Sequence, residues 1–416
     1  MSEALQPHHH HLSEVAQELS ERGSQGLVVI DASSLATIED EYGIAAYEEV
    51  RKRLLAALQE QRSKDYRQGD ILSLDRPRGL RFLLFLARKR RRALPTSTAD
   101  LRIVQSRLQN SLVPSLARCA FPYRKNASTI QVGYAMAVYN PLIHTERLVH
   151  SAFREALHMA HHLRMVEHYL VRDQLLDVIL RERVVTAYQP IMDIATRRIL
   201  GFEALSRGPR GSGLEGADAL FGAATDHHLL VELDRLRRRR ALLSSGRIPT
   251  NAKIFVNTLP ATIRDPQFRD RPLIEFLDLA QVSPDRIVIE ITEKLVIDNY
   301  TLFREAMAYF TDLGMSFAVD DVGTGYSGLE SIARLKPTFL KIDIALVRDV
   351  HISLVNREMV KALITMGKGI GAEVIAEGIQ TKGEAEVLQE MGVDWGQGYL
   401  LARPELGPEP TSPGTA

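Results

Sequence analysis

The sequence predicts an α/β chain. A C-terminal (β/α)8 TIM-like barrel covers residues 184–404, with a smaller α/β domain before it at 26–160 and a connecting helix at 161–183. Three observations carry this. Eight short apolar runs of strand length recur between residues 184 and 400. Amphipathic segments of helical length separate most of them, the alternation of a parallel βα barrel. Most of the runs end on, or contain, a polar residue able to bind a metal or a phosphate, and the C-terminal ends of barrel strands converge on one rim.

The predicted barrel strands are Val184–Ile191, Ile199–Leu205, Lys253–Asn257, Arg286–Ile291, Ser316–Asp320, Phe339–Ile342, Glu373–Ala376 and Trp395–Leu400. The connection Asp193–Arg198 is too short for a crossover helix, so it reads as a hairpin and the first two strands as antiparallel. In the first domain, Gly26–Ile30, Phe82–Leu86 and Thr129–Val138 read as strands, and Tyr47–Gln59 and Ala152–Leu163 as helices. Residues 161–183 form a helical stretch free of Pro and Gly, and His158, His161 and His162, just before and at its start, share one face as solvent-facing side chains. Residues 1–25, including His8 to His11, read as a flexible leader, and 405–416 as a disordered tail rich in Pro, Gly, Ser and Thr.

Composition narrows the function. Lys plus Arg and Asp plus Glu balance at 52 each, which leaves no overall field toward nucleic acid or an anionic membrane. The basic runs Lys89–Arg92 and Arg237–Arg240 read as solvated helix faces. Cys119 is the single cysteine, which excludes an intramolecular disulfide and fits a reducing cytoplasm. No apolar stretch approaches the ~20 residues that span a bilayer.

The chemistry concentrates at strand ends. Asp320-Asp321 closes the fifth run and leads into Gly323-Thr324-Gly325. Neighbouring side chains on a strand point to opposite faces, so two adjacent carboxylates share a site only where the strand is ending. Glu203, Asn257, Glu290, Lys341, Glu377 and Gln397 occupy corresponding positions on other strands. Five carboxylates in one mouth repel one another, and one or two divalent cations relieve that repulsion. Mg²⁺ or Mn²⁺ suits such oxygen ligands. Asp320 is placed to bridge two ions with Asp321 on the second, an arrangement used for attack on phosphodiesters. Lys341 is placed to hold or deprotonate a water, or to neutralise phosphoryl oxygens.

These residues lie in motifs that resemble EAL domains, bacterial phosphodiesterases that cut cyclic di-GMP to linear pGpG. The motifs are Tyr188-Gln189-Pro190-Ile191, Phe202 to Arg207, Val256-Asn257, Glu290-Ile291-Thr292-Glu293, Asp320 to Ser327, Leu340-Lys341-Ile342-Asp343, Ala376-Glu377-Gly378 and Gln397-Gly398-Tyr399 ending at Arg403-Pro404. The resemblance implies that Glu203, Asn257, Glu290 and Asp320 hold one metal. Asp320, Asp321 and, through water, Glu377 surround a second. It gives Lys341 a role in water activation, places Gln397 near metals and substrate, and makes Gln189, Leu205 and Arg207 substrate contacts. Glu293 steadies the loop after Asp321, a loop that also lies near a dimer interface. Val322 stands where the family usually has Phe.

The first domain resembles a degenerate GGDEF domain, the diguanylate cyclase type. Asp31 matches a metal-binding aspartate. Ser33, Leu35-Ala36, Glu39 and Glu48 replace its other working residues, and the signature has become Arg78-Gly79-Leu80-Arg81-Phe82. The expectation is a domain that makes no cyclic di-GMP. Arg67-Gln68-Gly69-Asp70 resembles an inhibitory product site but reads as a salt-bridged turn. The resulting expectation is a cytoplasmic, homodimeric cyclic di-GMP phosphodiesterase with two divalent cations. The alternatives are a non-catalytic cyclic di-GMP receptor and a barrel hydrolase or lyase acting on a sugar phosphate.

Overall fold

The computed structural model describes residues 5–60, 67, 69–87, 97–124, 130–259, 262–292, 300–323, 332 and 335–407. The chain divides into two compact units, Met1–Leu170 and Val171–Ala416.

The first unit is built on a four-stranded antiparallel sheet. Its strands are β1 (Ser24–Asp31), β2 (Ile71–Leu74), β3 (Arg81–Leu86) and β4 (Gln131–Val138), in the order β2-β3-β1-β4. Its helices are α1 (Leu12–Arg22), α2 (Thr37–Tyr42), α3 (Ile44–Glu60), α4 (Thr98–Ser111), α5 (Val113–Cys119) and the first part of α6 (Thr145–Leu180). The strands are apolar on both faces because both are covered. Val28, Ile30, Phe82 and Leu84 meet Val50, Leu54 and Leu58 of α3 and Leu101, Val104 and Leu108 of α4. The alternate residues Leu27, Val29, Leu83 and Phe85 meet Val15 and Leu19 of α1 and Val149, Ala152 and Ala156 of α6.

Two expectations change here. The leader contains a helix, α1, whose Val15 and Leu19 enter the core. The connecting helix is the end of one 36-residue helix that starts at Thr145, since neither Gly nor Pro interrupts the pattern.

Gly133 on β4 lets α6 approach closely. A Cβ there would lie 1.9 Å from the Ala156 carbonyl oxygen and 2.6 Å from the Ala160 nitrogen. Gly133→Ala should therefore destabilise the first unit by about 2–3 kcal/mol through overpacking. A lowered urea midpoint for that unit would show it, and an unchanged midpoint would refute it.

The second unit is a closed eight-stranded barrel. Its strands are β5 (Val185–Met192), β6 (Ile199–Arg207), β7 (Lys253–Asn257), β8 (Ile287–Thr292), β9 (Ser316–Val322), β10 (Phe339–Ile342), β11 (Glu373–Ala376) and β12 (Trp395–Gly396). β5 and β6 are antiparallel, as the short connection requires. Asp193 Oδ1 fastens their turn by accepting from the Ala195 and Thr196 amides. β6 to β12 are parallel, and β12 meets β5 to close the barrel. The outer helices are α7 (Ala217–Asp226), α8 (Leu230–Leu243), α9 (Asp270–Ala280), α10 (Tyr300–Asp312), the short α11 (Ile344–Val347), α12 (Leu354–Ile370) and α13 (Lys382–Glu390).

The last strand is shorter than expected. After Gly396 the chain turns back, with the Ile379 amide donating to Gln397 O and the Leu400 amide to Ile379 O, so Tyr399 and Leu400 leave the sheet. Glu405 and Leu406, expected in the tail, form β13 and pair with Tyr188 and Ala187 of β5. The Arg237–Arg240 run is not a solvated face. Arg238 is buried against Asp234, Asp265 and the ring of Phe268, while Arg237 pairs with Asp234. Lys89–Arg92 lies outside the described residues.

Candidate active site

The barrel interior is laid down in layers with a period of two, the pleat of its strands. Ile191, Phe255, Val288, Ala318, Phe339, Ile375 and Trp395 form one buried apolar layer. Two residues further along the parallel strands stand Asn257, Glu290, Asp320, Lys341, Glu377 and Gln397. On β5, which runs the other way, Gln189 lies two residues before Ile191. Glu203 completes the polar layer from β6.

Lys341 is fully buried at the centre of this layer. Its Nζ lies 2.6 Å from Glu377 Oε1, 2.7 Å from Glu290 Oε1 and 3.4 Å from both Glu203 Oε2 and Asp320 Oδ2. Asn257 Nδ2 donates to Glu203 Oε1 at 3.1 Å and Glu290 Oε2 at 3.0 Å. Gln397 Nε2 donates to Glu203 Oε2 at 2.7 Å and Gln189 Oε1 at 3.0 Å.

Asp320 and Asp321 reach the same space by a route that differs from the expected one. β9 continues to Val322 rather than ending at the pair. Val319 pairs with Leu340 and Val322 with Ile342, so Lys341 alone opposes both aspartates. The extra residue is a β-bulge. Asp321 takes a left-handed conformation, φ +59°, which Asp tolerates better than most residues. Gly323 follows at φ +106°, and a Cβ there would lie 2.3 Å from Leu346 Cδ1.

The electrostatics follow from burial. Burial and the neighbouring carboxylates hold Glu290 and Glu377 well above the usual range, despite Lys341. Burial also raises Asp320, and together with Asp320 and Asp343 it pushes Asp321 up to about 6. Burial opposes the charge of Glu203, but Lys341, Gln397 and Asn257 outweigh it and hold that carboxyl low. Burial by itself pulls the Lys341 pKa down. The surrounding carboxylates reverse this and hold it as an ammonium, which favours a donor role over that of a base.

One lysine does not neutralise five carboxylates, and this imbalance is what a divalent cation corrects. Glu203, Glu290 and Asp320 each bring an oxygen within 4.8 Å of the others, as do Asp320, Asp321 and Glu377, so Asp320 belongs to both groups. The all-oxygen donor set suits Mg²⁺ or Mn²⁺. Beside them is a cleft of about 390 Å³ lined by Gln189, Glu203, Asp320, Asp321, Glu377 and Gln397, with Ile344, Gly378, Gln380, Gly398 and Tyr399.

The structure thus gathers every predicted strand-end residue. Leu205 and Arg207 continue the Glu203 face of β6 but do not line the cleft, and Arg207 Nη1 donates to the Ser206 carbonyl. Glu293 and Thr324 to Ser327 lie outside the described residues. Ile344, Gln380 and Tyr399 escaped the reading as individual site residues. They stand just past strand ends, and that spacing is their only signal. In the first unit, Asp31 pairs with Arg81 at 3.2 Å, and Leu80 is buried. Asp70 accepts from the Arg67 and Ala87 amides, so Arg67 and Asp70 form a turn through backbone contacts.

A family model described as EAL domain matches residues 172–404. An uncharacterized protein of Azorhizobium caulinodans is 31% identical over 266 residues, 59% of this chain and 35% of its own length. The probable cyclic di-GMP phosphodiesterase PdeN of Escherichia coli is 28% identical over 236 residues, 56% of this chain and 45% of its own length. The chain spans less than half the length of these relatives. Among solved structures, the Xanthomonas citri FimX EAL domain, in complex with c-diGMP, aligns with a TM-score of 0.54 at 20% identity. That alignment covers 60% of this chain and 98% of that one, and it shows a shared fold. With the family model matched across the whole barrel and its strand-end residues, the chain belongs to the EAL domain family.

Proposed function

We propose that the chain hydrolyses cyclic di-GMP to linear pGpG. The observation that supports this best is the convergence of five carboxylates, Asn257 and Lys341 on one barrel mouth, with Asp320 shared between two groups of three. In this reading Glu203, Asn257, Glu290 and Asp320 hold one divalent cation, and Asp320, Asp321 and Glu377 surround another, Mg²⁺ or Mn²⁺. When bound, such cations lower the pKa of water and withdraw charge from phosphoryl oxygens. The Asn257 amide nitrogen is spent on Glu203 and Glu290, which leaves its carbonyl oxygen as the ligand atom. Lys341, as an ammonium, orients water and phosphoryl oxygens by donated hydrogen bonds. Arg207 lies outside the cleft with its guanidinium on the Ser206 carbonyl, and it would meet a phosphate oxygen only by turning from that partner. Tyr399 lines the cleft with an exposed ring, a surface on which a guanine base stacks.

The first unit is in this reading a degenerate GGDEF domain with a regulatory role. Arg81 occupies the charge of Asp31, so the residue that matches a cyclase metal ligand is already neutralised inside the protein. A homodimer is supported by the exposed Ile352, Leu354, Val355 and Met359 at the start of α12, an apolar patch a second copy would cover. No helix among the described residues is long and apolar enough to cross a membrane. The cytoplasmic assignment rests on the single-cysteine composition.

Purified chain incubated with cyclic di-GMP and Mn²⁺ should yield linear pGpG. The product should vanish with chelator and with Glu203→Ala. Tight binding without product in either metal would point to a receptor, and equal product from Glu203→Ala would overturn the assignment of the site.

A further inference from the structure

The barrel seam contains a relay that the roles above leave unused. β12 and β5 meet through one antiparallel pair, Gly396 with Met192. Beyond that pair, two buried glutamines bridge the gap. Gln397 Nε2 donates to Glu203 Oε2 at 2.7 Å and to Gln189 Oε1 at 3.0 Å, and Gln189 Nε2 donates to the Ala402 carbonyl at 3.1 Å. Ala402 begins a strap whose residues Glu405 and Leu406 pair with β5, and the Gly407 amide donates to Thr186 O at 2.8 Å.

The relay has only one workable polarity. Turning the Gln397 amide over would set its oxygen against the Glu203 carboxylate. Turning Gln189 over would set two NH₂ groups face to face and its oxygen against the Ala402 carbonyl. Both hydrogens of Gln397 Nε2 are committed, and its Oε1 finds no hydrogen-bond partner among the described residues. Its orientation therefore comes from Gln189 on one side and Glu203 on the other.

We propose that Gln189 and Gln397 are positioning residues through which the strap from Ala402 to Gly407 fixes the orientation of Glu203. This rests on the reading of Glu203 as a cation ligand. It assigns Gln189 a duty besides substrate contact and gives the C-terminal strap a connection to the site. Partners that orient metal ligands commonly set affinity by 10–100-fold.

Mn²⁺ affinity of the full chain, measured by calorimetry without substrate, tests it. Gln397→Leu should weaken Mn²⁺ binding about 10–100-fold. Gln189→Met, close in volume, should weaken it in the same direction, and the double variant should bind no more weakly than Gln397→Leu. Gly407→Pro, which removes the amide that donates to Thr186 O, should weaken binding in the wild type and have no further effect in Gln189→Met. Gly407→Ala is a second strap variant, since its Cβ would lie 2.5 Å from the Tyr188 ring. That non-additivity separates a relay from general loosening, and melting curves verify folding. Unchanged Mn²⁺ affinity in Gln189→Met, or strap effects that add fully to it, overturns the relay while leaving the phosphodiesterase reading intact. A wild type that binds no Mn²⁺ overturns both.

Discussion

Lys341→Met is expected to destabilise the metal-free second unit by about 3–5 kcal/mol, the usual cost of removing one partner from a buried ion pair. Four carboxylates lie within 3.4 Å of Nζ, and among the described residues no other cationic side chain lies within ion-pair distance of them. The loss should depend on pH in a defined direction. Glu290 and Glu377 already have raised pKa values and take up protons more readily once the ammonium is gone, so low pH relieves the repulsion. Destabilisation should therefore be larger at pH 8 than at pH 6. Mn²⁺ should restore much of it by supplying positive charge to the same oxygens. Urea unfolding at both pH values, in chelator and in Mn²⁺, measures this. An equal loss with and without metal would mean that the carboxylates around Lys341 are not where the cation binds.

Asp320→Asn should have the opposite profile. Asp320 belongs to both carboxylate groups, so its replacement weakens both proposed cation sites. Electrostatic help from such ions is worth several kcal/mol, and tenfold in rate is ~1.4 kcal/mol, so turnover of cyclic di-GMP should fall about 10³-fold. Metal-free stability should stay level or rise. One buried negative charge disappears, while Lys341 keeps Glu203, Glu290 and Glu377 as partners. Product formation and melting curves on one preparation suffice. Activity within tenfold of wild type would remove Asp320 from the centre of the mechanism.

The parts of this structure that could be read from sequence are those fixed by strict alternation. β7, β10 and β11 match the apolar runs residue for residue, because each is a short buried strand with its polar residue within one position of its end. The hairpin followed from the length of Asp193–Arg198 alone. What escaped depended on contacts distant in sequence. α1 carries only Val15 and Leu19 into the core, too few to separate a docked helix from a polar leader. Tyr399 and Leu400 extend an apolar run but are drawn off the sheet by Ile379. Arg238 lies in a basic run yet is buried by acids from α8 and from the loop before α9. The residues of the site were legible one strand at a time. The relay from Ala402 to Glu203 was not, because it joins residues 189, 203, 397 and 402 across the closing seam.

The bulge in β9 bears on how such a chain can lose function by descent. A strand of even register offers the barrel interior every second residue. β9 offers two in succession because it is one residue longer than the ladder it joins. Deleting a single residue between Ala318 and Val322 would even the ladder and keep the sheet and most of the core. The mouth would then hold one carboxylate fewer, and one buried repulsion would be gone. On the proposed reading of the site, an in-frame loss of one codon would thus weaken its hold on a cation while leaving the barrel topology in place.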